Sequence, residues 1–379
     1  MYADPDMPLQ FHLYHSFDAT LEGTWRQLQE DSDHYVFQTY EWLAHWQRTA
    51  GQNSHGIEPL VAVVSNSQRP LALFPFGIRK SGSARVLEFL GGGQCDYNAP
   101  LILPGIFTTE QFRDLWDKVL DSLPAHDVRY FVRVPQQLGG LRNPFLDIAP
   151  SFCEGFAYAA ALPDSWGEFR CGLPAKFQKD NARMIRRLSE MGRLEFVVAK
   201  TTSEFSDIVE TMFTQKERRY KETGARNILA DANTRTFYRG LMASVDRDAH
   251  IHMSALMLDD EVLATHLGVF HRNRFYYLFP TYAGEAWAKF SPGRLLLEHL
   301  VQWAIANRLR VFDFTVGGET YKEIWCDSEM PLYRIVEPLT LRGHIFAQSQ
   351  ALLYWVRTNR RARAMAMKIL RMSHMFKRD

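Results

Sequence analysis

The order of hydrophobic periods occurs twice along the 379-residue chain, and that repetition restricts the possible folds more than any single motif does. In the first half, a helix pattern over residues 37–50 precedes strand patterns over 60–65, 71–79 and 86–90, a helix over 108–123 and a strand over 128–134. In the second half, a helix over 203–222 precedes strands over 250–258, 262–270 and 274–282, then a helix over 292–307 and a strand over 309–315. Three successive strands joined by short turns, at Asp259-Asp260 and Arg272-Asn273 in the second copy, make an antiparallel meander. The helix that follows is a crossover that delivers one more strand. The order therefore predicts an α+β fold of two tandem domains, each a mostly antiparallel sheet with packed helices. Pro163, Gly167, Gly172 and Pro174 interrupt the periodicity, which divides the chain into residues 1–162, 163–340 and a helical tail, 341–379.

A hydrophobic content of 46% suffices for packed cores, and Lys+Arg 44 against Asp+Glu 43 leave a formal charge of +1. Partner selection must then rest on local patches. Cys95, Cys153, Cys171 and Cys326 show no C-x-x-C and no Cys/His zinc spacing, and His250 and His252 share a strand face without a third ligand. Reduced thiols in a cytosolic protein without a metal are expected. The first six residues lack a basic region followed by an apolar one, and no run reaches about 18 apolar residues, so neither secretion nor a membrane span is predicted.

One helix start is electrostatically wrong unless an anion binds it. Ser291 suits a cap, Pro292 the first helical position, and Gly293 a close approach to the backbone. Lys289 and Arg294 add positive charge where the helix dipole is already positive, at a cost of about 0.3–1 kcal/mol each. Amide groups, a glycine and two cations predict a phosphate or pyrophosphate site. Leu295, Leu296, Leu297, Leu300, Val301, Trp303, Ala304 and Ile305 make this helix apolar nearly all round, so it should be buried.

Asp313 shares a strand face with Val311 and Thr315; it reads either as a base with a raised pKa or as an acceptor for the Gly317-Gly318 turn. His266 alternates with Ala264 and Gly268, whose small side chains would leave room for a substrate, and is a second candidate base. Gly91-Gly92-Gly93 is followed by Asp96, whose carboxylate would repel pyrophosphate, so a single cofactor site is expected, in the second half. Trp42 and Trp46, four apart on one helix, read as core.

The strand, phosphate loop, helix and strand resemble the GNAT acyltransferase fold. The segment Asp313-Phe314…Gly317…Tyr321-Lys322…Trp325 resembles the signature of the CelD-like acyltransferases of cellulose and exopolysaccharide production, a group similar to the FemAB peptidyltransferases. Phe37-Gln38-Thr39 with Trp42 and Trp46 fits that group's first helix, and Asp96-Tyr97-Asn98-Ala99-Pro100 its central loop; the resemblance spans residues 37–325. Val316 and Gly318 stand where relatives often have a basic and an acidic residue. The resemblance implies acyl-CoA as co-substrate, held by Lys289, Ser291, Gly293 and Arg294. It implies an acid role for Tyr321, a phosphate or carboxylate contact for Lys322, and an acceptor cleft lined by Asp96, Tyr97 and Asn98.

The leading expectation is a bacterial, cytoplasmic acyltransferase acting on an amine or hydroxyl of a cell-surface polysaccharide precursor. Lys176, Lys179, Arg183, Arg186 and Arg187 recur at helical spacing; they read as a solvated face or, in a FemAB-like alternative, as a contact for aminoacyl-tRNA. A non-catalytic scaffold of a polysaccharide synthesis complex is the third reading. In the tail, Arg357, Arg360, Arg361, Arg363, Lys368, Arg371, Lys377 and Arg378 stand among Leu352, Leu353, Trp355, Val356, Met365, Met367, Ile369, Leu370 and Phe376. This is the pattern of a basic amphipathic helix that touches an anionic membrane peripherally.

Overall fold

The computed structural model describes residues 8–67, 69–244 and 249–359. The strands are β1 (Gln10–Tyr14), β2 (Glu58–Ser65), β3 (Pro70–Ser81), β4 (Ala84–Phe89), β5 (Leu101–Ile102), β6 (Val128–Pro135), β7 (Gln137–Leu138), β8 (Leu141–Arg142), β9 (Ser151–Ala161), β10 (Leu194–Val198), β11 (Ala249–Leu258), β12 (Glu261–His271), β13 (Arg274–Tyr282), β14 (Val311–Val316) and β15 (Ser328–Pro338). The helices are α1 (Ala19–Asp31), α2 (Tyr40–Trp46), α3 (Gln52–His55), α4 (Thr109–Ser122), α5 (Trp166–Cys171), α6 (Ala175–Ser189), α7 (Thr202–Thr223), α8 (Ala232–Ser244), α9 (Glu285–Ala288), α10 (Pro292–Ala306), α11 (Lys322–Trp325) and α12 (Leu341–Thr358).

Both expected meanders are present, β2-β3-β4 and β11-β12-β13, and each receives a parallel strand after its crossover helix: β6 beside β4 and β14 beside β13. Asp259 and Arg272 turn the second-half hairpins with φ of 50° and 54°. The helix predicted over 37–50 starts with a 3-10 turn that Thr39 separates from α2 by capping it through the Trp42 amide, and it runs on through a π turn into α3, past residue 50. Trp42 and Trp46 are fully buried, as a core reading requires.

The strands that close each half are exchanged. β9, from the end of the first half, pairs antiparallel with β14; β15, from the end of the second, pairs antiparallel with β6; and β9 and β15 pair with each other. Among the described residues one sheet of thirteen strands results, in the order β1-β2-β3-β4-β6-β15-β9-β14-β13-β12-β11-β10 with β5 beside β3. The cores follow the exchange. Phe37 of the first half touches Tyr276 of β13, and Trp42 touches Phe237 of α8, so one core spans both halves. A second core lies between α10 and the face of β12 to β14 that carries Phe275, Phe312 and Phe314.

α12 packs on the face of β4, β6 and β15 opposite to Phe76, Phe89 and Phe131, through Phe346 on Val86 and Val128. Gly343 lets the helix approach so closely that a Cβ there would lie 1.9 Å from the Asp127 carbonyl oxygen. The tail cations Arg360, Arg361, Arg363, Lys368, Arg371, Lys377 and Arg378 lie outside the described residues.

A chain cut between residues 162 and 163 separates β9 from β14 and β6 from β15. Fragments 1–162 and 163–379 are therefore expected not to fold when expressed singly, and the intact chain to unfold in one transition by circular dichroism and tryptophan fluorescence. Two independently folded fragments would contradict the exchange.

Candidate active site

β13 and β14 are hydrogen-bonded in parallel over three residue pairs only, Arg274–Val311 to Tyr276–Asp313, and then part. β13 shifts register against β12 at Leu267/Gly268, and β14 shifts against β9 between Asp313 and Thr315. Thr315 takes φ 55°, a left-handed conformation that costs a β-branched residue roughly 1–3 kcal/mol and persists only when its surroundings hold it. Asp313 does so. One carboxylate oxygen accepts the Thr315 amide at 2.8 Å and the Tyr97 hydroxyl at 2.7 Å, and the other accepts Arg274 at 2.8 Å. Lys322 holds the other side of the bulge, its ammonium donating to the carbonyls of Phe314 (3.0 Å), Val316 (3.1 Å) and Gly317 (2.9 Å) and pairing with Glu319 at 3.0 Å.

The parted strand ends open onto a cavity of about 580 Å³. Pro280, Thr281 and Tyr282 of β13 form one wall, Ser291, Gly293 and Arg294 at the start of α10 a second, and Tyr321, Ile324 and Trp325 a third, with Phe177 of α6 beside them. Three of the four residues expected at the cofactor thus meet Tyr321 in one space. Lys289 lies outside it, exposed, with its ammonium 5.1 Å from the Phe290 ring. Ser291 does not cap α10 with its side chain. It turns the chain at φ 52°, and its carbonyl accepts the Arg294 amide at 2.9 Å, so that amide is engaged within the helix and the cation available to an anion is the Arg294 side chain. The guanidinium lies over Phe177 at 5.2 Å, and its Nε is buried without a partner. Burial and the charge of Glu319 push the Tyr321 hydroxyl upward, so it stays protonated at neutral pH; the residue is 37% exposed.

Other sequence-predicted residues sit away from this cavity. His266 is sealed in the second core, its ring stacked 4.4 Å from Tyr277, and neither ring nitrogen has a partner. Burial holds it well below the usual imidazole range. The room expected beside Ala264 and Gly268 is filled by Phe275 and Tyr277 from the neighbouring strand. Lys322 is buried on carbonyls rather than turned to a phosphate. Asp313 lies not among apolar groups but in an ion pair with Arg274, and it holds the Thr315 amide rather than the Gly317-Gly318 turn. Tyr97 and Asp313 line a separate cavity of about 370 Å³ at the opposite ends of β13 and β14. Asp96 pairs with Arg133 at 3.0 Å, and burial pushes its carboxyl up against that pull; Asn98 donates to the Val132 carbonyl at 3.0 Å. Among the described residues no group of three metal-ligating side chains occurs.

Lys216 of α7 was not singled out by the sequence. Its ammonium donates to the carbonyl of Pro280, a cavity-wall residue, at 3.3 Å and lies 4.4 Å from the Phe279 ring. Burial lowers its pKa to about 8, against the opposing pull of Glu319. The available signal was position: Phe205, Ile208, Val209, Met212 and Phe213 form the buried stripe of α7, and Lys216 continues it one turn on. Arg218, on the same helix, donates to the Tyr282 carbonyl at the cavity mouth.

Residues 175–323 match the family model described as an acetyltransferase (GNAT) domain, while no curated protein matches the sequence. Among solved structures, FemX superposes with a TM-score of 0.56 at 10% identity, over 84% of this chain and 96% of that one. The C-terminal domain of a putative lysylphosphatidylglycerol synthetase from Agrobacterium fabrum gives 0.54 at 11% identity, over 88% and 97%. A tandem GNAT protein from the clavulanic acid biosynthesis pathway gives 0.50 at 11% identity, over 87% and 98%. At such identities the likeness is one of fold. It joins the family match and the cavity at the parted strands: the second half of this chain carries a GNAT-type acyltransferase domain.

Proposed function

We propose that this chain transfers an acyl group from acyl-CoA to an amine or hydroxyl of a cell-surface polysaccharide precursor. The observation that carries the donor half of this reading is the Arg294 side chain at the positive end of α10, which lines a cavity walled by Phe177, Leu296, Leu297 and Trp325 and whose Nε is buried without a partner. A pyrophosphate suits the guanidinium and the helix dipole, and a pantetheine arm with its acyl chain suits the apolar walls. The acceptor half rests on the CelD-like signature of residues 313–325.

Attack by the acceptor on the thioester carbonyl forms the new N–C or O–C bond and releases a proton, which Lys216 is suited to take because its pKa of about 8 leaves a neutral fraction at neutral pH. As the C–S bond breaks, Tyr321 returns a proton to the leaving thiolate. Asp313 acts indirectly, by holding the bulge that keeps the strands apart.

A second donor, aminoacyl-tRNA, is favoured by one feature. Lys176, Lys179, Arg183, Arg186 and Arg187 are all exposed on α6, which lies along α10 through the Asn181–Glu298 hydrogen bond.

Calorimetric titration with acetyl-CoA and longer acyl-CoAs should show one saturable site, weakened about 10- to 100-fold in Arg294→Ala, as expected when a charge-assisted hydrogen bond is lost. Unchanged affinity in that variant would remove the cation from the site. No binding to any acyl-CoA, together with tRNA binding that falls steeply with salt, would move the reading to the second donor. The transfer rate should rise with pH through about 8 as Lys216 deprotonates, a limb absent in Lys216→Met. Asp313→Asn should instead lower stability by about 1–3 kcal/mol in urea denaturation and leave the position of that limb unchanged.

A further inference from the structure

α12 has two opposed stripes. Gly343, Phe346, Gln350 and Tyr354 face the sheet: Gly343 and Phe346 are buried, Gln350 meets the Tyr130 hydroxyl, and Tyr354 lies 5.0 Å from the Arg334 guanidinium. Half a turn away, Leu341, Ile345, Leu352 and Trp355 recur at helical spacing on the outward face. They are 76%, 65%, 60% and 54% exposed, among the most exposed large apolar side chains described. Packing against this protein therefore does not explain them, and over roughly 21 Å of helix they make a continuous apolar line.

The charge along the sequence of that helix and beyond it is of one sign. From Pro338 to Arg378 the sequence contains no aspartate or glutamate, but it has Arg342, Arg357, Arg360, Arg361, Arg363, Lys368, Arg371, Lys377 and Arg378. In a chain of net charge +1 this is a strong local bias. An apolar stripe followed in the sequence by charges of one sign suits a surface that is apolar beneath and anionic above, as the headgroup layer of a bilayer containing acidic phospholipids is. Among the described residues no helix is long and apolar enough to cross a membrane, so the contact is one of lying on the surface. We propose that the outward face of α12, with the cationic segment that follows it, docks this protein on an anionic phospholipid surface. The sheet packs against the opposite face of α12 and would stay in water. This proposal does not depend on the acyl donor.

Co-sedimentation of the full chain with vesicles of three parts phosphatidylcholine to one part phosphatidylglycerol tests it, with pure phosphatidylcholine as the comparison. Binding is expected to the mixed vesicles only and to fall as salt is raised. Ile345→Glu with Leu352→Glu should abolish it, and both side chains are exposed enough for the fold to survive, which the circular dichroism spectrum checks. Arg360→Gln with Arg361→Gln should weaken it about fivefold per cation removed. No binding to the mixed vesicles, or binding that the Ile345 and Leu352 substitutions leave intact, overturns the proposal. So does a self-association that those two substitutions dissolve while the vesicles sediment without protein, since the stripe would then cover a second copy of the chain.

Discussion

A carboxylate buried to 1% exposure must find a partner for every lone pair it cannot give to water, and the partners Asp313 finds come from three places. Tyr97 arrives from the first half, Arg274 from the start of β13, and the Thr315 amide from two residues along its own strand. Each contact fixes something different. Tyr97 ties the halves across the core they share, and Arg274 braces β13 against β14 across the three pairs they form. The Thr315 amide is the one that keeps a threonine left-handed and turns β14 away from its neighbour. Removing the carboxylate would leave a guanidinium and a strained bulge without their counterweights, and the cavity beyond exists because that bulge is held.

The elements that sequence could locate are those whose own side chains announce them. The meander strands are rich in β-branched and aromatic residues and bounded by polar turns, and α10 is apolar nearly all round, so both were legible. The central exchange was not. β9 holds four alanines and a glycine among its eleven residues, and β15 carries Pro331 and Pro338, residues that argue against a strand unless it sits at a bulge. Pro331 does lie beside the register shift at Leu332/Tyr333, which is how a mid-sheet strand tolerates it.

The site shows the same limit. Arg294 and Tyr321 do share a cavity, but the side-chain type misdirected the reading of Lys322, whose cation is consumed by backbone carbonyls. For His266 the deciding groups, Phe275 and Tyr277, lie on another strand, so nothing in its own alternation with Ala264 and Gly268 reveals that the space is filled. Lys216 was hidden for the opposite reason: among Glu217, Arg218 and Arg219 it looks like one more solvated charge, and only its register on α7 sets it apart.

The two halves share more than element order. β4 and β6 also pair in parallel briefly, over two residue pairs, and β6 also carries a left-handed residue at its bulge, Arg133 with φ 54°, whose amide is held by the carboxylate of Glu154. The difference lies in what enters the gap. In the first half the Asn98 amide bonds the Arg133 carbonyl at 3.0 Å, its side chain bonds the Val132 carbonyl, and Cys95 with Asp96 takes the Arg133 guanidinium, so the loop closes the opening with its own backbone. In the second half the corresponding carbonyls turn to Lys322 and the space beside β13 stays open. The plug and the opening are linked through one residue, because Tyr97 stands between Asp96 and Asn98 and carries the hydroxyl that Asp313 accepts. Loosening the loop of the first half would therefore release the bulge of the second, and a pairing that is inert in one copy sets the rigidity of the cavity in the other.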